Sequence, residues 1–289
     1  MVRAHGWEPR YARFFFRRGN ELPGAFEDCS SCCSLCHINW LQQQSKLEIK
    51  KRNDKDISFR MNMTYPDRRG DILAPESIAV LKTKYPLLSN SDELFAEFVR
   101  LTGRNAKDEI NCRTDTYLLP LSRLPRPRGK FEKQQAQIIT EMKEKMLEVD
   151  NDDDRKYAAH CLGILSLPFQ LNEDIKLLIH EEPGTASRKT FHVIVFTGPL
   201  FDCKQFSVLA EEEILGEVSS FIEAVALLIT CYFVFNIAYP PKIGVTMTFI
   251  QKVLVGHDDQ LKSTPKLLSL LGRITKHLKK SICFKIIFN

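Results

Sequence analysis

The chain has 289 residues, 44% of them hydrophobic and 27% charged, proportions that exclude wholesale disorder and a membrane-embedded class for the chain as a whole. This length can bury a core without help from disulfides or a metal. Lys and Arg outnumber Asp and Glu by 41 to 36, an excess too small to demand nucleic acid or an anionic membrane by itself.

Residues 1–40 show no steady hydrophobic period and hold clusters of one kind, Phe14 to Arg18 and Cys29 to Cys36, so they read as a poorly ordered N-terminal segment. The opening MVRAHGWEPRYARFFFRR puts charges where a signal peptide needs a continuous apolar stretch, and Val2 excludes N-myristoylation. Nine cysteines are an odd number, and Cys112, Cys161, Cys203, Cys231 and Cys283 are scattered. This is the pattern of reduced thiols, and the expected compartment is intracellular, cytoplasmic or nuclear.

Cys29, Cys32, Cys33 and Cys36, followed by His37, are candidate zinc ligands, because thiolates at C-x2-C spacing suit that ion. No second ligand pair follows at the spacing a closed site uses, and the alternative is a cysteine cluster in a loose segment. The run from Cys33 to His37 also matches haem attachment, a chemistry of exported proteins. No cofactor is expected.

Helical patterns begin near Trp40 and define a small helical region over 41–118. Ile72, Ile78, Leu81 and Tyr85 fall near a 3.6-residue period, with Pro86 as a stop. Asn90 followed by Glu93 has a capping-box pattern, and Leu94, Phe95, Phe98 and Leu101 form one stripe that ends at Gly103. The stretch 119–130, with three prolines and a glycine, reads as a Pro-rich linker.

Residues 131–289 read as an α-rich domain with a β-hairpin near 191–209. Phe131 to Val149 has the composition of an exposed helix, the acidic run Asp150 to Asp154 reads as a solvated loop whose Asp152 to Asp154 could cap the next segment, and Arg155 to Leu167 as a helix ended by Pro168. Asn172 is placed to cap a short helix through Ile179. Val193, Ile194 and Val195 favour a strand that Phe206 to Leu209 could pair. Ser220 and Glu223 open the apolar run Ala224 to Tyr239, closed by Pro240 and Pro241, and Pro265 begins a final helix with Leu267, Leu270, Leu271, Ile274 and Leu278 on one face. The fold class is α+β and predominantly α-helical.

Four segments bear on function. The run 224–239 is uncharged and could be a single-pass membrane span, but a span needs roughly 20 apolar residues, and Asn236 interrupts this one; a buried core helix is the alternative. The basic stretches 46–69 and 262–285, the second free of acidic residues, could associate with nucleic acid or be solvated helix faces. The terminal helix, with Arg273, Lys276, Lys279 and Lys280 behind its leucines, could lie in a partner groove or simply dock on the core. For catalysis there is no Gly-rich phosphate loop, no G-x-S-x-G and no H-E-x-x-H, and no catalytic residue is assigned.

Several stretches together resemble a known family. They are Arg60-Met61 with Thr64 and Arg68-Arg69, the decapeptide IAVLKTKYPL at Ile78 to Leu87, Leu94 to Leu101, and the block from Arg155 onward, above all CYFVFNIAYP at Cys231 to Pro240 and FIQKVLVG at Phe249 to Gly256, then Asp258, Asp259, Pro265 and the LLSLL run. Over roughly Ser58 to Leu271 the chain resembles the multicopy fish proteins named sterile alpha motif domain-containing protein 3-like. The resemblance implies a family with no established enzymatic activity, in which CYFVFNIAYP belongs to a domain core and not to a membrane anchor. A well-patterned core without a catalytic constellation leads to the expectation of an uncharacterised, non-enzymatic protein-interaction module with an unidentified protein partner. The small helical domain that gives the family its name has no counterpart in this sequence.

Overall fold

The structure, a computed structural model, describes residues 34–74, 76–125, 133–181, 193–198, 200, 202–211, 213–258 and 263–287. Among the described residues twelve α-helices and four strands follow in chain order. They are α1 Ser34–Ser45, α2 Asp54–Met63, α3 Tyr65–Leu73, α4 Ile78–Lys84, α5 Ser91–Thr102, α6 Ala106–Arg113, α7 Leu119–Arg123, α8 Lys133–Glu148, α9 Asp152–Leu171, then β1 Ile179–Glu181, β2 Val193–Phe196, β3 Phe206–Ala210 and β4 Glu213–Val218, and finally α10 Phe221–Val234, α11 Gly244–Phe249 and α12 Pro265–Ile287. The chain is predominantly helical, with one small sheet.

The centre of the fold is α10. Its Ser220 side chain accepts from the Glu223 N–H at 3.2 Å, as the capping pattern predicts, and apart from Glu223 every residue from Phe221 to Val234 is buried. A helix that is apolar on all sides belongs inside a protein or a membrane. Here protein covers it, with α5 and α6 on one part and β2, β3 and β4 on another. It has 14 residues, and among the described residues no helix is long and apolar enough to cross a membrane. The single-pass reading of 224–239 is therefore set aside, because the helix ends at Val234 and its whole circumference is used in packing.

The expected hairpin is present as the middle of a larger sheet. β2 and β3 pair antiparallel with Ile194 opposite Val208, β4 adds antiparallel to β3, and β1 adds parallel to β2. Phe206, Val208 and Ala210 alternate inward on β3, the two-residue period of a half-buried strand, and β3 packs on α10. β1 has three residues, too few to show that period in the sequence.

Other expectations change. Residues 34–40, read as part of a poorly ordered segment, belong to α1, which buries Ile38 and Leu41; residues 1–33 lie outside the described ones. The helix expected over 72–85 is two helices, α3 and α4, with Ala74 extended at φ −68°, ψ 160° and Ser77 capping the second. All four periodic residues, Ile72, Ile78, Leu81 and Tyr85, are nonetheless buried. The linker reading of 119–130 fails at its start, where α7 buries Pro120, Leu121 and Ser122 against α9; proline in a first helical turn has no N–H that needs a partner. Residues 126–130 lie outside the described ones.

The acidic run is the first turn of α9, capped by Asn151, where carboxylates complement the helix dipole. That helix continues through Pro168 to Leu171, and Asn172 closes it in the left-handed region at φ 56° instead of opening the next turn, a short 3-10 turn, Ile175–Leu177, that Asp174 caps. Side chains from both halves of the chain, from Ile38 to Ile274, form one continuous core.

Candidate interaction surface

The helices α1 and α2 pack on each other, and the sequence dictates how. Ile38 and Leu41 on α1 and Ile57 and Met61 on α2 are spaced three and four residues apart and turn inward. Asn53 starts α2 by accepting from the Asp56 N–H at 3.3 Å. With 57 and 61 inward, Phe59 and Met63 share an outer face, and they are 43% and 51% exposed. Among the described residues eleven large apolar side chains are exposed, and five of them, Leu35, Leu47, Ile49, Phe59 and Met63, fall within 35–63. Single exposed apolar groups need no explanation, but a concentration of them in one short stretch does.

Arg60, next to Phe59 on α2, is half-buried. Its Nη1 donates to His37 Nδ1 at 2.8 Å, its guanidinium carbon lies 4.5 Å from the Trp40 ring centre, and the His37 ring meets the Phe59 ring edge-on at 6.5 Å. An arginine can only donate, so His37 Nδ1 is unprotonated in this contact. Burial, reinforced by the Arg60 charge, lowers the pKa of His37 and favours the same neutral form. Arg60 Nε is buried without a hydrogen-bond partner, and among the described residues no carboxylate pairs with this guanidinium. The other half-buried arginines with ion pairs contrast with it: Arg100 has Glu93 and Glu97, and Arg113 has Glu109.

The stretch 46–69, read as a basic strip that could meet nucleic acid or water, is sorted differently by the fold. Arg68 is fully buried; its Nε and Nη2 donate to the two carboxylate oxygens of Glu97 at 2.9 and 2.7 Å, and Nη2 also reaches the Met61 carbonyl at 2.8 Å. Arg69 Nη1 donates to the Val234 carbonyl at 2.8 Å, at the C-terminus of α10, where a cation is favoured. Arg52 donates to the carbonyls of Ser45 and Leu47. Lys46, Lys50, Lys51 and Lys55 are the cations of this stretch left exposed. In 262–285, Arg273 and Lys266 turn to Gln170 and Leu171 at the end of α9, and Leu267, Leu270 and Ile274 are buried, so the first half of α12 is docked on the body.

Of the four candidate zinc ligands, Cys29, Cys32 and Cys33 lie outside the described residues, and Cys36 is exposed on the first turn of α1. Among the described residues no group of three or more His, Cys, Asp or Glu side chains could hold a metal ion. One polar cluster joins residues that are distant in sequence: His160 Nε2 is 2.8 Å from Asp115 Oδ1, and Lys156 Nζ is 2.7 Å from Asp115 Oδ2. Its neighbour Cys161 is buried, which pushes the thiol pKa up to about 12, so it is a packing group with no nucleophilic thiolate at neutral pH.

Sequence reasoning missed the roles of Arg60, Arg68 and Glu97. The only signal was local: Arg60 and Arg68 stand in the two phrases, Arg60-Met61 and Arg68-Arg69, that carry the family resemblance. A family model described as sterile alpha motif domain-containing protein 3, helical domain, matches residues 40–90, from α1 to the turn before α5. A curated human protein, sterile alpha motif domain-containing protein 3, is 26% identical over 225 residues. The chain is thus similar, over most of its length, to sterile alpha motif domain-containing protein 3. The match takes in 75% of this chain and 40% of the human protein, so the chain spans well under two thirds of that relative's length. No solved structure matches the chain. The matched helical segment holds four of the five clustered apolar residues, Leu47, Ile49, Phe59 and Met63, together with Trp40, Arg60 and Arg68.

Proposed function

We propose that this chain is a non-enzymatic, intracellular protein-interaction module whose contact surface is the outer face of α1 and α2. The observation that carries the reading is the exposed apolar pair Phe59 and Met63, next to a guanidinium that has no carboxylate among the described residues. A helical face of this kind suits association with another helix or an extended segment. The match to a helical domain of a protein named for an interaction motif supports the same reading.

The test is a photo-crosslinking amino acid placed at Phe59 and, as a control, at Leu147, which is 81% exposed on α8. Position 59 is expected to give discrete protein adducts in cells that survive nuclease and high salt, and position 147 is expected to give none of them. Adducts that do not depend on position, or adducts removed by nuclease, would overturn the reading. The second outcome would favour nucleic-acid association through 46–69 and 262–285, whose phosphate contacts must weaken as salt rises.

A further inference from the structure

We infer that the partner of the α1–α2 face is a protein segment that places a carboxylate, flanked by apolar side chains, against Arg60. This rests on the interaction reading above and names the chemistry of what binds there. Arg60 holds its place through a neutral imidazole and an aromatic face, His37 and Trp40, and these neutralise no charge. Its Nε is buried and unpartnered, and its Nη2 makes no hydrogen bond among the described residues. A guanidinium that meets no carboxylate among the described residues favours one from a partner, in a charge-assisted contact.

The surroundings fix the rest of the partner's character. Phe59 and Met63 flank the cation with exposed apolar area, so the carboxylate must sit beside apolar side chains to cover them. Over 46–69 the exposed lysines, Lys46, Lys50, Lys51 and Lys55, are equalled by the exposed acids Glu48, Asp54, Asp56 and Asp67, so the charge preference of this face is that of Arg60 itself. Arg68, eight residues on, is by contrast paired with Glu97.

The experiment selects a random peptide display library on the immobilised full chain. Enriched peptides are then measured by fluorescence anisotropy against the wild type and the variants Phe59→Ala, Arg60→Gln, Arg60→Glu and, as control, Leu147→Ala. The enriched peptides should carry Asp or Glu beside apolar residues. Their affinity should fall about tenfold, the effect of one charge-assisted contact, with Arg60→Gln, fall further with Arg60→Glu, and stay unchanged with Leu147→Ala. Changing the peptide's carboxylate to its amide should cause the same loss on the unmodified chain, which keeps the test valid even where an Arg60 variant misfolds.

Peptides that need Phe59 but carry no acid would overturn this inference and leave the interaction surface standing. Peptides indifferent to both Phe59 and Arg60, or no enrichment at all, would overturn both. Self-association lost with Phe59→Ala would make the occupant a second copy of the chain, and tighter binding of a single-stranded RNA lost with Arg60→Glu would make it a phosphate; either result overturns the acidic-segment assignment.

Discussion

Arg60 and Arg68 stand on two sides of the turn that joins α2 to α3, and the fold treats them in opposite ways. Arg68 enters the core, where Glu97 takes it in a bidentate pair and the Met61 carbonyl takes a further N–H. Arg60 stays at the outer corner, held by His37 and Trp40 with no carboxylate partner among the described residues. The first arrangement closes on itself, since every strong donor has an acceptor and nothing outside is needed. The second is open, with exposed apolar side chains around an unmatched cation. A buried charge is tolerated only when paired, whereas a half-exposed one can wait in water for a partner. The inner junction therefore belongs to stability and the outer corner is free to recognise.

The comparison can be broken most forcibly at its inner side. Glu97→Gln leaves Arg68 buried without its anion and should cost about 3–5 kcal/mol, measured by urea denaturation. Replacing both partners by Met and Leu should recover most of that loss, because the unpaired charge is removed along with the pair. A smaller effect is expected at Asn90, whose side chain accepts from the N–H groups of Asp92 and Glu93 and so starts the helix that carries Glu97. Asn90→Ala should cost about 1 kcal/mol.

At the outer corner, Arg60→Gln removes a cation from the Trp40 face and should cost about 0.5–1 kcal/mol, and Phe59→Ala should change stability by less than about 0.5 kcal/mol. Both should nevertheless weaken partner binding, and that separation of effects is what distinguishes a recognition surface from a core.

The gentlest probe is pH. His37 has a pKa lowered below 6.5, first by burial and then by the Arg60 charge. In the unfolded chain it gains its proton as pH falls through about 6.5, while in the folded chain it resists until lower pH. The unfolded state then binds more protons, so stability falls on acidification through this window and levels off once the folded form is protonated too. His160, also lowered by burial, contributes with the same sign. His37→Gln should flatten part of the slope between pH 7.5 and 5.5, roughly one unit either side of the imidazole value, in thermal unfolding followed by circular dichroism.

Much of the fold was legible because its signals were local. Asn90 with Glu93, Ser220 with Glu223 and the stripe Leu267, Leu270 and Ile274 each lie within a turn or two of helix, where caps and periodicity act. The apolar run after Ser220 could be recognised as buried from its length, and it is the helix around which the sheet and α5 are built. The breaks were harder. The division of 72–85 into α3 and α4 keeps all four periodic residues inside, so the pattern alone could not reveal it. Likewise Pro120 and Pro168, read as punctuation, both sit inside helices, where neighbouring elements supply the packing that propensity withholds.

The candidate surface was hardly legible at all. Arg60, Arg68 and Arg69 are near neighbours in one basic strip and look alike in sequence. What separates them is the position of Glu97, nearly thirty residues on, and of the Val234 carbonyl at the far end of another helix. Burial of a charge depends on a partner that arrives only when distant segments meet, and sequence spacing carries no information about that meeting. By itself the sequence determined the helical class, the caps at Asn90 and Ser220, the core stripes and the central apolar helix, because these follow from backbone hydrogen bonding and periodic burial over short spans. Only the tertiary structure decided which arginine is sealed inside and which is left open to a partner, because that depends on which carboxylates and carbonyls the packed helices bring within reach.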